Sequence, residues 1–280
     1  MKFAICQELY EDLDWTEQCR RIAAAGYTGI EVAPFTIAMN AADIPASTIS
    51  EMRKIAEGHG LQIIGLHWLL AKTTGLHLTS PDQTVRNTTT RYLETLAGLC
   101  SGLGGHVLVF GSPVQRNLLP GVTTEQAMNY AADVFRTAAK TFSDLGVSLC
   151  FEPLTPKETD FINTCEQAVS LIKMVDHPSM KLHQDVKAML GAETDSIPVL
   201  VERYREICGH FHVNDTNLLG PGMGDTDFHP ILKSLLDTSY SGWVSVEVFD
   251  YSPGADVIAR KSIEYMKAVL NDLMSDGSSR

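Results

Sequence analysis

The sequence is short of several things that would have pointed elsewhere. Its 280 residues hold only 22 Lys and Arg against 34 Asp and Glu, a net charge of −12. Proteins whose affinity rests on cations meeting phosphates need the opposite balance, so no nucleic-acid partner is expected. No apolar run reaches the roughly 20 residues of a bilayer span, so no membrane association is expected. The opening MKFAICQELYEDLDW turns acidic before a signal-peptide core can form, which leads us to expect a cytoplasmic protein. None of the six cysteines (Cys6, Cys19, Cys100, Cys150, Cys165 and Cys208) belongs to a CxxC pair, which excludes zinc-ribbon spacing. A chain this long needs no disulfide staples, and all six are read as free thiols that pack as small hydrophobes. Low-complexity tracts and Pro/Ser linkers are absent too, so residues 1–280 read as a single domain.

What is present is an alternation of short apolar segments with longer amphipathic ones. The strand-like segments are Phe3–Cys6, Gly29–Ala33, Gln62–His67, His106–Gly111, Val147–Glu152, Met180–Asp185, His210–Asp215 and Trp243–Val248. Helical periodicity covers Trp15–Ala25, Ser47–Gly58, Val85–Leu103, Thr124–Leu145, Thr164–Val175, Ser196–Ile207, Phe228–Leu236 and Ala255–Leu273. Asp14, Ser47 and Thr164 are candidate N-caps, and Gly26, Gly60 and Gly146 candidate helix ends. Eight such units predict an α/β fold, a single (β/α)8 TIM barrel. A doubly wound sheet would want a Gly-rich phosphate turn after the first strand, where QELYEDL stands instead.

In such a barrel the working groups sit at the C-terminal ends of strands. The last four predicted strands end on or near Glu152, Asp185, His212 and Glu247, spaced by 33, 27 and 35 residues, about one unit each (185 − 152, 212 − 185, 247 − 212). Side chains alternate along a strand, so all four can point into one mouth. Three carboxylates and an imidazole gathered there repel one another without a cation. Oxygen-rich ligation with one nitrogen suits Mn²⁺ or Mg²⁺, with Co²⁺ or Zn²⁺ also compatible. We therefore expect one divalent metal ion held by Glu152, Asp185, His212 and Glu247.

The same residues carry a likeness to a known family. FEPLTPKETDFINT resembles the ketohexose 3-epimerase stretch in which Glu-Pro is followed by a second Glu and a Phe-Leu-Asn-Thr run. HFHVNDTN with GPGMGDTDF resembles the family's histidine strand and Gly-rich loop, and WVSVEVF its last strand. Over essentially its whole length the chain resembles the xylose-isomerase-like superfamily of sugar isomerases and epimerases. That resemblance implies metal ligation by the four residues above, with Glu152 and Glu247 also facing the substrate carbon from opposite sides as acid and base. The implied activity is proton abstraction beside a ketose carbonyl through an enediolate, giving epimerisation or aldose–ketose isomerisation of a sugar or sugar derivative.

Further candidates surround this set. Glu158 matches the stretch's second glutamate, which implies hydrogen bonding to substrate hydroxyls. His67, in GLHW, is placed to contact a sugar oxygen, and Lys187 faces as Asp185 does if that strand continues. Arg116 is a candidate for holding a hydroxyl or phosphate. Asp215, three residues after His212, is a candidate for orienting that ligand, and Trp68 and Phe110 for walling the pocket. Ala71–Pro81 offers a surface for a homo-oligomer. Two departures stand out: ketohexose epimerases have a histidine where this chain has Ala188, and an arginine in the loop where it reads NDTNLLGPG. Hexulose specificity is therefore not carried over. An inosose-type dehydratase and a non-catalytic sugar-binding barrel remain alternatives. An endonuclease IV-like role fits poorly, since the further metal-binding histidines are not evident.

Overall fold

The computed structural model describes residues 1–277. Eight parallel strands, each hydrogen-bonded to the next, close into a barrel when β8 pairs with β1. The strands are β1 (Lys2–Cys6), β2 (Gly29–Val32), β3 (Gln62–Leu66), β4 (Val107–Phe110), β5 (Ser148–Phe151), β6 (Met180–Asp185), β7 (Cys208–Val213) and β8 (Trp243–Val246). Around them run α1 (Trp15–Ala25), α2 (Ala46–Gly58), α3 (Gln83–Leu103), α4 (Thr124–Asp144), α5 (Cys165–Val175), α6 (Val186–Ala192), α7 (Ile197–Tyr204), α8 (His229–Asp237) and α9 (Ala255–Gly277). The predicted (β/α)8 barrel is what the chain forms.

Strand alternation sorts the side chains into two cores. Outward-facing Phe3, Ile5, Leu108, Phe110, Leu149 and Phe151 join the large apolar layer beneath the helices. Inside the barrel, Ala4, Ile64 and Trp243 pack together, as do Val107, Val109 and Cys150. The rest of the interior is polar. Glu31, His183, His210, His212 and Ser245 are all fully buried, an arrangement that is costly unless every group finds a partner.

Local signals fix the helices. Asp14 caps α1 through its side chain, and Gly26 ends it with φ 102°. Thr164 forms a capping box with Gln167 at the start of α5. Ser47 does not cap: α2 starts earlier, with Pro45 in the cap position and no side-chain cap bond. The unforeseen element is α6, which follows β6 directly and takes Asp185 as its N-cap, accepting from Ala188 N at 2.7 Å. β6 therefore stops at Asp185, and Lys187 lies in a helical turn rather than on a continued strand. All six cysteines are free, five of them buried. Among the described residues, no helix is long and apolar enough to cross a membrane.

Candidate active site

The C-terminal rim gathers the expected side chains. Asp185 on β6 pairs in register with His212 on β7, and Glu152 and Glu247 follow directly after β5 and near the end of β8. All four are buried, none more than 6% exposed. Glu152, His183, Asp185 and His212 bring ligating atoms within 4.8 Å of one another. Glu247 adjoins the same imidazole, its Oε2 3.1 Å from His212 Nδ1. The predicted four thus meet around His212, and His183, which sequence reasoning missed, joins them from the layer below. Space for Glu152 depends on Gly111, where a methyl group would overlap its Oε2.

Charge is unevenly compensated at this rim. Burial pushes the Glu152 carboxyl well above its usual range, and the negative Glu247 and Asp185 push it further. Asp185 rises to about 6, mainly through burial. Burial acts on Glu247 too, but the adjacent His212 ring overcomes it and takes that carboxyl down to about 2. His212 is itself held well above the usual imidazole range, because Glu31 and Glu247 outweigh its burial. Three acids and a histidine, with both nitrogens of buried His183 lacking hydrogen-bond partners beside them, make a donor set that fits a divalent cation.

Above these groups opens a cavity of about 350 Å³, lined among others by His67, Trp68, Glu152, Glu158, Glu247 and Phe249. Trp68 sits in a left-handed backbone conformation (φ 52°), donates from Nε1 to Glu247 Oε1 at 2.9 Å, and stacks beside Phe249. A non-glycine residue held at positive φ costs of order 1 kcal/mol or more, and such strain concentrates at working sites.

Comparison with known proteins agrees with this architecture. The family model described as a xylose isomerase-like TIM barrel matches residues 19–269. The chain belongs to this family. A D-psicose 3-epimerase of Ruminiclostridium cellulolyticum is 27% identical over 256 residues, covering 89% of this chain and 84% of that protein. A fructoselysine 3-epimerase of Escherichia coli O157:H7 is 20% identical over 90% of the chain and 92% of its own length. A solved D-psicose 3-epimerase with D-fructose present superposes with a TM-score of 0.84 at 23% identity, covering 96% of this chain and 99% of that one.

Within this xylose isomerase-like barrel the remaining candidates divide. Glu158 lines the cavity, accepts from Thr155 N and Oγ1, and pairs with Lys187 Nζ at 2.7 Å. Lys187 reaches it from α6, with its ammonium 4.2 Å from the Phe249 ring. His67 lines the cavity but is tied to Glu8 at 2.7 Å. Three expectations are corrected. Arg116 is fully buried and spends its guanidinium on the backbone carbonyls of Glu152 and Ile162, at 2.6 and 3.1 Å, so it braces the end of β5 rather than facing substrate. Asp215 turns away from His212 and organises the Gly-rich loop, accepting from Thr216 N and from Thr226 N and Oγ1. Phe110 packs outward against Phe135 and Phe151.

The residues that support the site from behind were missed. Asn214 Nδ2 donates to Asp185 Oδ2 at 2.6 Å. Glu31 on β2 contacts both His210 and His212. A signal for His183 and His210 was present: each stands two residues before a predicted ligand on the same strand, and so on the same face.

Proposed function

We propose that the chain is a sugar epimerase of the ketose 3-epimerase kind, dependent on one divalent metal ion. The observation that carries this reading is the pair Glu152 and Glu247, two buried carboxylates lining one cavity, with His212 and Asp185 beside them to complete a cation's donor set. The relatives named above, 3-epimerases of ketose substrates, support the same reaction class.

Glu152, Asp185, His212 and Glu247 would hold the ion, with Mn²⁺ or Mg²⁺ the best match to the oxygen-rich set and Co²⁺ or Zn²⁺ compatible. Once bound, it would supply positive charge beside the substrate carbonyl, which lowers the cost of the negative charge left when the neighbouring C–H loses its proton. One of the two glutamates, Glu152 or Glu247, accepts that proton and the other returns one from the other side, inverting the carbon. A substrate of opposite handedness reverses the two roles. Trp68 Nε1–H steadies Glu247, while Glu158 and Lys187 offer one acceptor and one donor to sugar hydroxyls. With Ala188 on α6 and no arginine in the 214–222 loop, two polar contacts of the ketohexose enzymes are lacking. A sugar derivative is accordingly as good a substrate as a free hexulose.

The test is incubation of the metal-loaded enzyme with ketoses, keto-glycosides and cyclitol ketones in D₂O. Deuterium at the carbon beside the carbonyl, with inversion and no change of formula, is the expected result. Loss of water would make the enzyme a dehydratase. No exchange with any member of the panel would leave a barrel that only binds.

A further inference from the structure

One carboxylate in the barrel belongs neither to the rim nor to the cavity. Glu31 enters from β2, is fully buried, and reaches across the interior to two histidines of β7. Its Oε2 lies 2.8 Å from His210 Nε2, and its Oε1 and Oε2 lie 3.2 and 3.3 Å from His212 Nε2. The opposite nitrogen of His212, Nδ1, faces the rim acids through Glu247. Glu31 is therefore aligned with the one imidazole that the proposed function places on the metal.

An ionised carboxylate can only accept hydrogen bonds. Facing Glu31, His212 Nε2 must carry a hydrogen, and the nitrogen left to release its own hydrogen and take a cation in its place is Nδ1, which faces Glu247 at the rim. His210 is fixed in the same way: its Nε2–H is given to Glu31, and its Nδ1 has no hydrogen-bond partner. Both Glu31 oxygens are taken up by these ring nitrogens at hydrogen-bond distance, so the lower cluster is a closed set rather than a second ion site. We propose that Glu31 is a positioning residue, fixing the tautomer and ring orientation of His212 so that Nδ1 is presented to the cation. This rests on the metal reading above and adds to it a determinant of affinity two layers away from substrate. Carboxylates that hold ligating histidines in this manner are worth about 10- to 100-fold in metal affinity.

The test uses the purified full chain stripped with a chelator. Mn²⁺ binding is followed by the paramagnetic resonance of the free ion, with no substrate present. Wild type should bind, and Asp185→Ala should bind at least about 100-fold more weakly. Glu31→Leu, which cannot accept, should weaken binding about 10- to 100-fold. Glu31→Gln, whose carbonyl can still accept from Nε2, should fall between Leu and wild type. A merely structural Glu31 would lower the melting temperature while the folded fraction kept wild-type affinity. As a check that needs no substituted chain to fold, ¹⁵N-histidine spectra of wild type titrated with Zn²⁺ should show the ring that responds to the ion coordinating through Nδ1 and protonated at Nε2. Coordination through Nε2, or equal affinity in the Glu31 variants and wild type, overturns the proposal while leaving the metal reading intact. Absence of Mn²⁺ binding by wild type, or undiminished binding by Asp185→Ala, overturns both.

Discussion

Glu31 and Glu152 are both buried inside one barrel, yet their surroundings treat them in opposite ways. Glu31 sits among imidazoles, and His210 and His212 overcome its burial and hold its carboxyl well below the usual range. Glu152 sits one layer higher among acids, and burial with Glu247 and Asp185 drives it well above that range. The lower layer satisfies its own charge, whereas the upper one is left in deficit. A buried anion is tolerated only when paired. The upper layer is therefore the one that a bound cation would complete, and on the proposed reading its excess of acids is kept for proton transfer.

The sharpest way to break this contrast is to neutralise each carboxylate in turn. Glu152→Gln should reduce turnover by about 10³-fold or more, since one of two acid–base groups is lost. In the metal-free protein it should also raise the melting temperature by about 2–6 °C, because a poorly solvated acid facing other acids is removed. Glu31→Gln should lower the metal-free melting temperature by a similar amount, leaving the charged His212 ring with one counter-charge fewer and the two Nε2–H groups with a weaker acceptor. Calorimetry of the two chelated variants decides the matter: shifts of the same sign would mean that the two layers do not differ as described.

A second experiment moves Glu152 without changing its charge. Gly111 follows β4 and leaves no room for a Cβ beside Glu152 Oε2. Gly111→Ala should still fold, because the displaced group is the end of a side chain rather than backbone. The carboxyl should shift by a few tenths of an ångström or more, and turnover should fall about 10²-fold. A kcat within a factor of three of wild type would show that the placement of Glu152 is not critical.

How far the site could be read from sequence follows from the same layering. The upper residues end strands, and strand ends are marked by the loops after them, so Glu152, Asp185, His212 and Glu247 stood out by spacing alone. The lower residues lie inside strands. Glu31 in GIEV reads as a polar residue in an apolar run, and only the closed barrel reveals that it faces His210 and His212 across 179 and 181 residues. Arg116 misled for a related reason: a loop arginine reads as exposed, whereas here its planar fork ties two carbonyls together in the core. Lys187 was placed on the correct side by an incorrect route, because Asp185 ends β6 by capping α6 and that turn carries the ammonium to Glu158.

The mildest test of the contrast is the pH dependence of stability in the metal-free protein. Asp185, at about 6 in the fold against an ordinary 3.8, binds its proton more tightly folded than unfolded. Its contribution is complete below about pH 4 and is lost as pH rises through about 6. Glu152 and His212, also raised, act in the same direction. Glu247, lowered to about 2, and Glu31 act in the opposite one: their contribution is complete above about pH 4.5 and is lost as pH falls toward 2. His183 and His210, lowered by burial and by neighbouring imidazoles, oppose this with a contribution gained as pH rises toward about 6.5, so the rim acids' descent between pH 5 and 7.5 is read as the difference of a few degrees in melting temperature between chelated wild type and Asp185→Asn. Asp185→Asn should flatten the descent on the alkaline side. Saturating Mn²⁺ should abolish that descent in wild type, since the cation takes over the place of the protons that hold the acids together. If chelated wild type and Asp185→Asn follow the same pH profile between 5 and 7.5, the rim acids carry no deficit, and the case for a resident cation loses its electrostatic basis.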